Sequence, residues 1–138
     1  MHKPILDTPE AAARYWREAI AGGPAFEPGA ECVVVLLLNT RLRCLGHHVV
    51  ALGSLDTVYL TPAQVYRAAI ASNAHSIVVM HNHPSGDSSP SEADTRITKD
   101  LQRAGELLKV RLVDHIVMGD LLDGRTKDYT SMRETGWI

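Results

Sequence analysis

Cysteine is scarce in this sequence. Only Cys32 and Cys44 occur among 138 residues, both in apolar, strand-like surroundings and never as a Cys-x-x-Cys pair. Two buried structural thiols are expected rather than a disulfide framework or zinc knuckle, which fits a reducing, cytoplasmic compartment. A basic excess is also missing. The formal net charge is −2, so the electrostatic footprint of nonspecific nucleic-acid binding is lacking, and direct nucleic-acid binding is not expected beyond a local patch. No apolar run reaches membrane-spanning length, and residues 1–7 carry no signal-peptide core, so neither insertion nor export is expected. Repeats, low-complexity tracts and linkers are absent as well. What remains is 45% hydrophobic content over a length that suits one domain, 1–138.

Alternating patterns divide that domain into helices and strands. Asp7 to Ile20 reads as a helix spanning about 7–21, with a capping residue, Pro9 near the first turn and a stop at Gly22-Gly-Pro24. Glu31 to Asn39 is a continuous apolar strand expected to be buried on both faces, and Cys44 to Leu52 should pair with it as a hairpin ended by Gly53 to Asp56. Thr61 caps a helix running to Asn73, which leads into the buried strand Ile77 to Met80. After Asp94 comes an amphipathic helix with Ile97, Leu101, Ala104 and Leu108 on one face. Val110 to Met118 is a further strand, and Lys127 to Met132 a short edge strand. This order predicts an α/β fold, a mixed β-sheet flanked by helices.

The chemistry concentrates where the third strand ends. His81 and His83 are two residues apart, so an extended backbone points both imidazoles to one side. Pro84, Gly86 and Pro90, with the serines between them, form turns, and Ser91-Glu-Ala-Asp94 reads as a helix start that carries a carboxylate back toward the imidazoles. Two neutral imidazoles and one carboxylate make the ligand set of a catalytic zinc whose fourth position stays open.

As one string, residues 81–94 resemble the JAMM (MPN+) metalloprotease signature His-x-His-x(7)-Ser-x-x-Asp, with His81, His83, Ser91 and Asp94 at the required spacings and Pro84 after the second histidine. The wording His-Asn-His-Pro-Ser-Gly followed by Pro-Ser-x-Ala-Asp is similar to RadC-type proteins in particular. Asp114-His-x-x-x-Gly119 and the final Gly136-Trp-Ile138 agree with that resemblance. It implies the MPN core, related in layout to the cytidine-deaminase-like fold, over most of the chain. It also implies one Zn2+ per chain, bound by His81, His83 and Asp94, and a metallopeptidase-like hydrolase of an unidentified peptide or protein amide or isopeptide bond. Ser91 would hydrogen-bond the developing oxyanion, a role compatible with capping the helix that holds Asp94. Longer RadC proteins carry an N-terminal helix-hairpin-helix region, which this chain is expected to lack.

The resemblance further implies a general-base glutamate on an upstream strand, and here the sequence departs from the pattern. His48, preceded by His47, stands in the expected place. It is expected near the metal as base, as a further ligand, or as the mark of lost activity. Glu31, at the head of the first strand, is the other candidate, although that end can face away from the metal. Asn82 is expected to point to the opposite side, Asp87, Glu92 and Asp114 to act behind the ligands or as solvated groups, and His115 to have a structural role. Two readings stand beside the zinc hydrolase. One is an impaired MPN pseudo-enzyme serving protein interaction, and the other a RadC-like factor associated with DNA repair or recombination. A zinc deaminase lacks its His-x-Glu and Pro-Cys-x-x-Cys ligands.

Overall fold

Seven uncharged apolar residues follow Glu31 and cannot find a solvent-facing side in a strand, so that strand must be central. In the computed structural model, which describes residues 3–53 and 60–138, Glu31–Leu38 forms β1 and every one of its residues is buried. β2 (Cys44–Gly53) runs antiparallel to it on one side and β3 (Ser76–Asn82) antiparallel on the other. β4 (Arg111–Met118) lies parallel to β3, and the short β5 (Tyr129–Ser131) closes the edge, giving the order β2-β1-β3-β4-β5. The mixed α/β sheet is therefore present. The expected break at 53–56 lies, beyond Gly53, outside the described residues.

Helices cover both faces of this sheet. α1 (Pro9–Tyr15) begins at Thr8 rather than Asp7, because the Thr8 hydroxyl accepts from Ala11 N–H, and it passes into a π-helical turn (Trp16–Ile20). On that face Trp16 and Leu6 pack with Val34, Leu36, Met80 and Ile116. α2 (Pro62–Ala71) and α3 (Glu92–Leu108) cover the other face, where Tyr66 and Leu101 pack with Val33, Val35, Ile77 and Val79. The expected inward face of α3 differs at its end. Leu108 is 43% exposed, whereas Thr98 and Gly105 are buried, because Leu108 is the last residue of the helix, which stops at Lys109 in a left-handed conformation (φ 60°). Glycine is needed at 105, where a Cβ would collide with the Tyr66 hydroxyl and the Val110 carbonyl. Both cysteines are buried free thiols. No helix among the described residues is long and apolar enough to cross a membrane.

One consequence of the topology positions the site. Because β1 and β3 are antiparallel, with Val33 opposite His81, the head of β1 lies beside the end of β3. Asn82 fastens the two together. Its side-chain oxygen accepts from Cys32 N–H at 2.8 Å, and its amide donates to the Ala30 carbonyl at 3.1 Å, so it grips the chain on either side of Glu31. Asn82→Ala leaves the Cys32 N–H without this partner, and a loss of about 1–3 kcal/mol is expected in urea unfolding. An unchanged midpoint would show that the clamp contributes nothing.

Candidate metal centre

β3 ends at Asn82, so His81 is delivered by the last turn of a buried strand and His83 by the first residue after it. Asp94 comes from the first turn of α3, held there by a capping box in which the Ser91 hydroxyl accepts from Asp94 N–H and the Asp94 carboxylate accepts from Ser91 N–H. The three donors converge. His81 Nε2 and His83 Nε2 lie 3.2 Å apart, and they stand 3.2 Å and 3.1 Å from the two Asp94 oxygens. Tetrahedral coordination at about 2.0 Å separates neighbouring ligand atoms by about 3.3 Å, so the spacing suits zinc without rearrangement. This is the single group of three metal-ligating side chains found among the described residues.

Each imidazole is turned by a partner on its other nitrogen. His83 Nδ1–H donates to the Asp87 carbonyl at 2.7 Å, and His81 Nδ1 lies 2.8 Å from His115 Nε2, which leaves both Nε2 atoms aimed at the same point. The loop carrying Asp87 is itself tied down, because Arg125 donates to the Asp87 carboxylate and to the hydroxyls of Ser88 and Ser89. Gly119 lets that loop lie against the end of β4, since a Cβ there would strike the Gly86 carbonyl.

The charges set a pH dependence. Hydrogen bonding to Asp94 raises the His83 pKa above its ordinary value despite burial. Burial pushes the Asp94 carboxyl upward, but its close contacts with the His81 and His83 imidazoles outweigh it and hold the group well below the usual carboxylate range. Any metal bound here would therefore compete with a proton on His83 and with none on Asp94. Zinc affinity is expected to fall about tenfold per pH unit below the His83 pKa and to level off above it. In the metal-free protein the same pair stabilises the fold fully below the unfolded histidine pKa of about 6.5, and this contribution is lost as pH rises through the raised folded value. Calorimetric zinc titration from about pH 5.5 to about pH 8 reads the first effect directly, and a pH-independent affinity would contradict it.

Glu31 joins the three donors in the wall of a cavity of about 350 Å³, whose apolar side is formed by Val33, Leu60, Ala93 and Ile97. Burial raises its carboxyl pKa, and Asp94 adds to the effect while His81 and His83 oppose it. Ser91 lines the same cavity. His48 does not. It lies opposite Val35 on the edge strand β2, exposed, while the β2 residue level with Val33 and His81 is Ala51. The expectation of His48 beside the metal is corrected accordingly, because β1 intervenes between β2 and β3 and presents Glu31 instead. His47 turns to the opposite face, where its Nδ1 lies 2.7 Å from the Tyr15 hydroxyl. Asn82 points away from the metal donors, as expected, and Asp114 accepts from Ser131, Arg133 and His115 to hold the final turn. His115 touches His81, which its isolated position in the sequence did not suggest. The parallel pairing that sets it opposite Val79, on the face of His81, is the signal that finds it. A larger cavity of about 520 Å³, walled in part by Lys109, Arg111 and Arg133, lies at the other end of the strands.

A mixed sheet offering His-x-His from a strand end and Asp from the next helix defines a JAB-type domain. The chain belongs to the RadC-like JAB domain family, whose model matches residues 6–137. It is similar to the UPF0758 protein of Pseudomonas fluorescens (strain SBW25), 37% identical over 137 residues that make up 99% of this chain and 56% of the relative. The UPF0758 proteins of Chlorobium chlorochromatii (37% identical, 88% of this chain, 56% of the relative) and Thermosynechococcus vestitus (36%, 94% and 48%) are further relatives. The chain thus spans about half the length of these curated relatives.

Proposed function

We propose that this domain is a zinc-dependent hydrolase of an amide or isopeptide bond in a peptide or protein. The carrying observation is that three zinc-spaced donors and the Glu31 carboxylate face one cavity large enough to admit a short extended segment. Zinc, when bound, would polarise the scissile carbonyl and lower the pKa of a water toward about 7. His81, His83 and Asp94 would hold it.

The remaining roles belong to the chain itself. Glu31 accepts a proton from the attacking water and returns it to the leaving nitrogen, a task suited to a carboxyl whose pKa burial raises above the ordinary value. The Ser91 hydroxyl accepts from Asp94 N–H, which leaves its own proton free to donate to the oxyanion that develops on the substrate. Val33, Leu60, Ala93 and Ile97 exclude solvent and strengthen both interactions.

Hydrolysis in water enriched in oxygen-18 tests the proposal without a known substrate. Zinc-loaded protein incubated with peptide and isopeptide libraries should yield acid products carrying the heavy oxygen, and a chelator should abolish them. Libraries that stay uncleaved under zinc saturation would contradict the hydrolase reading and favour a binding domain.

A further inference from the structure

Behind the ligands lies a buried polar chain that the reaction does not use directly. Thr98 and His115 are 0% and 1% exposed, in the contact between α3 and β4. The Thr98 hydroxyl donates to the Asp94 carbonyl at 2.7 Å, four residues back along the helix, with the Met132 sulfur as a weaker acceptor at 3.3 Å. The same oxygen lies 2.6 Å from His115 Nδ1. With its proton given to the Asp94 carbonyl, Thr98 could only accept from His115, which would then carry its proton on Nδ1. Its Nε2 lone pair then accepts from His81 Nδ1–H, and His81 Nε2 is left as a free lone pair facing Asp94 and His83. In this arrangement one hydroxyl on α3 would decide which nitrogen of His81 faces Asp94 and His83 as a lone pair.

We propose that Thr98 and His115 are positioning residues that lock His81 in its metal-binding tautomer and couple it to the helix turn that carries Asp94. The inference rests on the zinc reading of the site. It adds that zinc affinity is set by two residues that touch no metal. Reversing the Thr98 bond, or removing it, allows His115 to place its proton on Nε2, facing His81. His81 must then accept through Nδ1 and put its own proton on the nitrogen the metal needs.

Zinc affinity of the full chain, measured by competition with a chromophoric chelator, reads this without any substrate. Thr98→Val keeps the shape and loses the hydroxyl, and a weakening of about 10- to 100-fold is expected; Thr98→Ser should restore wild-type affinity. Long-range proton–nitrogen NMR correlations on zinc-loaded wild type should show protons on Nδ1 of both His81 and His115, a readout that remains decisive if Thr98→Val does not fold. Wild-type affinity in Thr98→Val, or a proton on His115 Nε2, would overturn this inference alone. Failure of the wild-type protein itself to bind zinc would overturn the hydrolase reading together with it.

Discussion

His83→Ala should lose zinc while keeping its fold. Apparent zinc-binding free energies of about 10–16 kcal/mol at four-ligand sites correspond to about 3 kcal/mol per ligand, so removal of one imidazole weakens binding on the order of a hundredfold or more. The rest of the site does not depend on His83 for its shape. Asp94 is anchored by the Ser91 capping box, His81 by its strand and His115, and the packed core lies on both faces of the sheet away from this half-buried side chain. Zinc at a thousand times its dissociation constant stabilises a protein by about 4 kcal/mol. Wild type should therefore show a clear rise in thermal midpoint on zinc addition, and the variant little or none. An equal rise in both would place the metal elsewhere.

Glu31→Gln is expected to have the second large effect, on turnover rather than binding. Removing a general base costs about 10²- to 10⁴-fold in rate. Glutamine fills the same space but takes no proton, and zinc affinity should survive because Glu31 is not among the three converging donors. Stability should move the other way. A carboxyl whose folded pKa is raised by burial costs the folded state stability at every pH above its unfolded value, and glutamine carries no such cost. The expected signature is lost hydrolysis with an unchanged or higher thermal midpoint. His48→Ala, on the exposed edge strand, should leave hydrolysis intact. The opposite pattern, with Glu31→Gln active and His48→Ala inactive, would return the base to β2.

The contrast between these two residues shows what was legible before the fold was known. His81, His83, Ser91 and Asp94 are joined by local rules: the two-residue period of a strand, a turn rich in proline and glycine, and a helix cap that fixes a carboxylate three residues on. Their convergence needed no long-range information. Glu31 and His115 reach the site through strand pairing, which links residues fifty and thirty-four positions from His81. Nothing local to either residue announces this. Once β1 is set antiparallel to β3, the head of β1 must lie at the metal end, and the order of the strands excludes His48. Leu108 differs for a related reason, since helical periodicity marks a face but not where along the helix its burial ends.

Zinc stoichiometry by elemental analysis, with X-ray absorption at the zinc edge of the reconstituted full chain, tests the central claim most directly. One zinc per chain is predicted, with two imidazole nitrogens and carboxylate or water oxygens at about 2.0–2.2 Å, and one imidazole fewer in any residual zinc retained by His83→Ala. Protein that stays free of zinc after reconstitution, or zinc surrounded by sulfur, would contradict it.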